Sequence, residues 1–282
     1  MLAPGGGLLL VGVAVALYAV AALPVLALRR LSAAALLGGF VMQALLLIID
    51  IGGFGQPLPG ARLGFGPVLS MTVWLVIAVY TVESRLVPLP AVRQWLGLAG
   101  VLAVVVAALF PGDPKVMHSA LAPLHFALGV GSYGLFGAAV LHATLLDAAE
   151  RRLRGTALAH VTGAARAANA ASAASVAKAP SFGMPLLQLE RLTFRFVEAG
   201  FAALTATLVL GIVTTVQWRW GDHKAVFSML AWGVFAALLL GRHLRGWRGR
   251  KATRWVYLGA ALLLLAYVGS RFVLEVLLGR GA

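Results

Sequence analysis

Eight residues whose chemistry goes beyond packing gather in two stretches: His118 and His125 in one, Trp218, Arg219, Trp220, Asp222, His223 and Lys224 in the other. Indole rings offer flat apolar faces, imidazole is a standard axial ligand to haem iron, and a lysine or arginine pairs with carboxylates. These types suit a flat, hydrophobic, anionic macrocycle such as a non-covalently held haem b. Trp218 and Trp220 would lie against the ring, His125 would be the axial ligand, and Arg219 or Lys224 would meet the propionates. His118 and His223 are the candidates for a second axial position. The same residues also read as interface anchors, because tryptophan collects at both surfaces of a bilayer and a histidine at a helix end often only caps or snorkels.

No other chemistry is visible. The sequence has no nucleophile-and-base set, no phosphate-cradling glycine loop and no HExxH pair, so no catalytic residue is assigned. It contains no cysteine, which excludes disulfides, thiolate metal sites and a covalent c-type haem link on this chain. On the helix that His125 opens, Gly129 follows four residues later and Ser132 and Tyr133 seven and eight later, so one face is low near the imidazole and polar beyond it. Gly129, Gly131 and Gly134 equally read as sites of close helix packing.

The elements that position these residues follow from composition. Of 282 residues, 61% are hydrophobic and 11% charged, and the mean hydropathy is +0.94. A soluble domain is closer to about 45–50% apolar and about 25% charged. The apolar runs are helix-length rather than strand-length, at about 5–28, 31–51, 66–83, 93–110, 121–147, 192–216, 225–240 and 255–278. The expectation is an all-α polytopic membrane bundle of about eight transmembrane helices. Residues 1–147 carry five of them, 148–189 form a basic Ala/Ser-rich cytoplasmic linker, and 190–282 carry the last three with the Trp-rich loop outside.

Charge sets the direction. Of the 23 Lys and Arg, seventeen fall at one end of the spans, around Arg29, Arg85 and Arg93, in 151–195 and in 242–254. Short loops dense in Lys and Arg stay in the cytoplasm, so both termini and the Trp-rich loop are expected outside. The net charge of +14 therefore sets topology and implies no nucleic-acid partner. At the basic end, His142 and His243 read as interfacial polar residues or as lining an inner haem access site. Glu190, Arg191, Arg195 and Glu198 are expected to pair along one helix face, and Arg271 with Glu275 near the outer end of the last span.

The chain resembles the cytochrome c assembly family, membrane proteins that handle haem and carry an external WWD motif close to WGxxWxWDPKExW. Trp218, Trp220, Asp222 and Lys224 match it, with Trp232 in the following helix. It is most similar to a small inner-membrane branch of unsettled function, in the spacing from His125 to Phe136, in LERLTFRxxxxGFxxLT, in DxKAVxSxLAW and in RGWRGRK. The likeness covers roughly Leu121 to Glu275. Gly221 separates Trp220 from Asp222, His223 replaces a proline, and the tail LLGRGA lacks the second external histidine of the synthases.

The resemblance implies haem binding at the outer face of a bacterial inner membrane. It makes His125 the first external axial histidine, and it makes Trp218, Trp220 and Asp222 the motif that receives the haem. Delivery or export of haem beside other cytochrome c maturation proteins is the implied role. The rivals are a transporter or ion-homeostasis protein without haem, and a non-catalytic scaffold of a membrane complex.

Overall fold

The computed structural model describes residues 4–24, 29–52, 54, 61–84, 90–112, 114–115, 121–161, 186–214, 223–269 and 272. Among them the chain is all-α apart from one two-residue ribbon. The helices are α1 Pro4–Ala22, α2 Arg29–Gly52, α3 Phe65–Glu83, α4 Pro90–Leu109, α5 Ala122–Val161, α6 Leu186–Thr214, α7 His223–Arg245 and α8 Gly249–Leu264. Seven are long and apolar enough to cross a bilayer, while α1 is apolar but shorter. The protein is a multi-pass membrane bundle, as its composition requires.

Neighbouring helices pack in sequence order, α1 on α2, α3 on α4, α5 on α6 and α7 on α8, and α3 and α8 both pack on α5. Two apolar clusters result. One is built mainly by α1–α4 around the fully buried Tyr18, whose ring lies 2.8 Å from where a Cβ would stand on Gly39 and 2.7 Å from one on Gly100. Its hydroxyl donates to Gln43 Oε1, and Gln43 Nε2 donates to Ser70 Oγ at 2.8 Å. Polar groups inside a bilayer need such partners, and here they tie α1, α2 and α3 together. The other cluster, from α5 to α8, centres on Phe136 stacked on Phe235 at 3.8 Å.

Local chemistry ends the helices where it should. α4 stops before Pro111 and Gly112, the glycine holding φ at +73°, a conformation that costs a residue with Cβ. The chain then forms β2 (Pro114–Lys115), antiparallel to β1 (Ala61–Arg62), which closes the two loops at this end against each other. Between α7 and α8, Gly246 and Gly249 take φ of +61° and +56°. That turn folds Trp247 back over Gly241, where a Cβ would meet its ring at 2.5 Å.

α5 continues past the apolar run that ends near 147, through the basic helical end ERRLR and on to Val161; Arg154 pairs with Glu150 one turn back, at 3.4 Å, and the alanine-rich sequence favours continuation. In the last span the α-helix runs to Leu264 and Leu265–Gly269 then form a π turn. Glu190 reaches across to Nε of Arg248, the residue just before α8, at 3.6 Å. Arg271 and Glu275 lie outside the described residues.

Candidate functional site

At the end of the bundle where α5 begins, five helices enclose a chamber of about 290 Å³. The first three to four turns of α5 supply His125, Gly129, Ser132 and Tyr133, the face that the spacing predicted. Leu204, Thr207, Leu208 and Gly211, at helical spacings of three and four, turn the last turns of α6 to the same space. The start of α7 adds Lys224, Ala225 and Ser228, the π turn after α8 adds Ala266 and Tyr267, and Val68 of α3 closes the wall.

Most polar groups on this wall are satisfied within the protein. Ser132 Oγ donates to the Gly129 carbonyl at 2.7 Å and Thr207 Oγ1 to that of Ala203 at 2.8 Å. The Tyr133 hydroxyl donates to the Leu263 carbonyl at 2.5 Å, beside the point where the ladder changes register to the π turn. Tyr267 hydroxyl donates to the Leu63 carbonyl at 2.6 Å, pinning the π turn to the chain just before α3. Lys224 Nζ stands 5.7 Å from the centre of the Tyr267 ring, within cation–π range.

His125 is the exception. Its Nδ1 is buried and has no hydrogen-bond partner, and Cε1 sits 3.2 Å from where a Cβ on Gly211 would be. A glycine at 211 is what lets the imidazole lie against α6. A buried ring nitrogen left unclaimed costs free energy unless a ligand or metal takes it, and the half-buried position on the chamber wall gives such a ligand room.

Of the residues that the sequence singled out, the structure brings His125 and Lys224 to the lining of one chamber. Trp218, Arg219, Trp220 and Asp222 lie outside the described residues, as does His118. His223 opens α7, and its side chain is likewise outside the described set. The helix ends that flank the Trp-bearing connection are nonetheless placed, since Gly211, three residues before the end of α6, and Lys224, the second residue of α7, both line the chamber. Trp232 sits farther along α7, stacked on Phe201 and donating Nε1–H to Thr205 Oγ1 at 3.0 Å.

The site that sequence reasoning missed is deeper and nearer the basic end. His142 is no interfacial residue: it is 1% exposed, with Nδ1 donating to the Ala138 carbonyl at 2.8 Å and Nε2 3.0 Å from Glu83 Oε2. Phe196 covers its ring at a centroid distance of 5.2 Å. Glu83, read as a helix-end acid, is 16% exposed and keeps Oε1 buried without a partner. Each residue alone looks like a helix-end group; only the packing of α3 on α5 makes them a pair. His243 stays exposed at the basic end.

Below this pair the basic end is tied by further polar contacts. Asp147 accepts hydrogen bonds from Thr253 Oγ1 at 2.9 Å and the Tyr257 hydroxyl at 3.0 Å, joining α5 to α8. Arg242 lies over the Phe194 ring at 3.4 Å, joining α7 to α6.

The sequence profile of a family described as cytochrome C assembly protein matches residues 41–278. Inner membrane protein YpjD of Escherichia coli strain K12 is 28% identical over 260 residues, covering 88% of each chain. Cytochrome c biogenesis protein CcsA of Prochlorococcus marinus strain NATL1A is 34% identical over 87 residues, 29% of this chain and 27% of that one. CcsA of Gloeobacter violaceus is 30% identical over 92 residues, 31% and 27% of the two chains. No solved structure matches.

Proposed function

The chain belongs to the cytochrome c assembly protein family, and from that premise we propose that it binds haem b in the His125 chamber. It acts as a haem-handling protein of the inner membrane, in haem delivery for cytochrome c assembly at the outer face. The observation that carries this reading is the buried Nδ1 of His125, unpartnered on the wall of a ligand-sized chamber.

The residues present fit the group. An imidazole with an unclaimed ring nitrogen is a suitable iron ligand. The missing Cβ at Gly211 leaves that ring room against α6, and Leu204, Leu208 and Val68 give the chamber an apolar wall for a porphyrin edge. Lys224 supplies a cation in the same chamber for a propionate. At about 290 Å³ the chamber is near the lower limit of small-molecule sites, roughly 300–1,000 Å³. It therefore houses part of a large flat ring.

Iron in this position gives a chromophore and an axially ligated cargo for transfer to an apocytochrome. The chain's own residues do the rest: His125 orients the ring, the apolar wall keeps water away, and Lys224 holds the anionic edge. The test is haem titration of detergent-purified protein followed by absorption spectroscopy. A Soret band that His125→Ala abolishes or shifts, and that Trp220→Ala weakens, supports the reading. No band, or one unchanged in both variants, refutes it.

A further inference from the structure

A second cavity, of about 350 Å³, lies on the side of the bundle facing the bilayer. Its floor is α3 and α5, with Val76 and Gly137 among the residues there, and its walls are α4, through Leu96 and Ala99, and α8, through Ala260 and Ala261. α4 and α8 make no substantial contact with each other, so the groove between them opens sideways into lipid. From Tyr257 to Leu264 it extends about 10 Å along α8, at ~1.5 Å per residue.

The lining makes no polar demand. Thr72 Oγ1 is bound to the Val68 carbonyl, the Tyr133 hydroxyl to Leu263 and the Tyr257 hydroxyl to Asp147. Every side-chain hydroxyl on the wall is thus already satisfied, and the occupant of the groove is apolar along its length.

Its mouth at the basic end is different. Arg254 and Arg250 precede Tyr257 by three and seven residues on α8, which puts them on the groove's face one and two turns below it, and both are exposed. On α4, Arg93 precedes Leu96 by one turn and buries its Nε without a partner. Trp95, 72% exposed, stands beside it at the depth where tryptophan anchors to head groups. An apolar slot ending in two exposed guanidiniums and one unclaimed N–H is complementary to an amphiphile with an anionic head.

The geometry points to a binding site for one anionic phospholipid of the cytoplasmic leaflet, with an acyl chain in the groove and its phosphate at Arg250 and Arg254. This site is independent of the haem reading and stands or falls without it.

The experiment is native mass spectrometry of the full chain released from bilayers containing phosphatidylglycerol and phosphatidylcholine with identical acyl chains. One retained phosphatidylglycerol per chain, preferred over phosphatidylcholine at least tenfold, is expected. Arg250→Gln with Arg254→Gln brings the preference close to one, and Ala260→Phe, which fills the slot, removes the retained lipid. If Ala260→Phe does not fold, Ala99→Leu on the opposite wall is the substitute. Equal retention of the two lipids by the native chain overturns the proposal. So does a preference that survives the arginine changes, or a haem chromophore that Ala260→Phe alone removes.

Discussion

Gly211 of α6 faces His125 of α5 so closely that a methyl group on the glycine would stand 3.2 Å from Cε1 of the imidazole. The position of the candidate ligand is thus set from the neighbouring helix. Gly211→Ala forces the ring to give by a few tenths of an ångström, and Gly211→Val overpacks it, at a cost on the order of 1–3 kcal/mol. The expected outcome is a weakened Soret band in the alanine variant and its loss in the valine variant, while circular dichroism shows the helices intact. A valine variant with native haem affinity would separate His125 from the site.

His142 and Glu83 make the opposite case, a pair whose value lies in not being broken. Removing the imidazole in His142→Ala leaves Glu83 among apolar neighbours with Oε1 already unpartnered. Leaving a largely buried hydrogen-bonding group without its partner costs about 1–3 kcal/mol. Glu83→Gln keeps a hydrogen-bonding side chain against Nε2 and costs less. Thermal unfolding in detergent checks the order, with native above Glu83→Gln and that variant above His142→Ala. An unchanged melting temperature for His142→Ala contradicts the pairing.

Tyr133 ties the chamber to the π turn. In Tyr133→Phe the ring stays and the hydroxyl goes, so the Leu263 carbonyl loses its donor at a cost of ~1–3 kcal/mol. Tyr133 and Leu263 line both cavities. The variant is therefore expected to melt lower and also to broaden the haem spectrum of the His125 chamber. A drop in stability with an unaltered spectrum would confine Tyr133 to packing.

What the sequence made legible was whatever depends on one segment at a time. The runs predicted at 66–83, 93–110 and 225–240 became α3, α4 and α7 because bilayer thickness and apolar length decide them. The face shared by His125, Gly129, Ser132 and Tyr133 followed from helical spacing. Pairing between segments was not legible. Glu83 and His142 each end an apolar run with a polar group, and nothing in either run names the other. The π turn at Leu265 has no compositional signal either; it becomes explicable only through Tyr133 and Tyr267, whose hydroxyls reach backbone carbonyls far away in the chain. The stretch after ERRLR is poor in large side chains, yet its helix as far as Val161 grows from the already ordered α5 and avoids a new nucleus.

The central claim, that His125 is an axial ligand to haem in its chamber, is tested most directly by cavity rescue. Haem-loaded native protein and His125→Gly are compared by absorption and electron paramagnetic resonance, before and after adding free imidazole. The account predicts that His125→Gly loses the native ligand signature and that imidazole, entering the vacated space, restores it. A signature identical in native and His125→Gly protein, indifferent to imidazole, would contradict it.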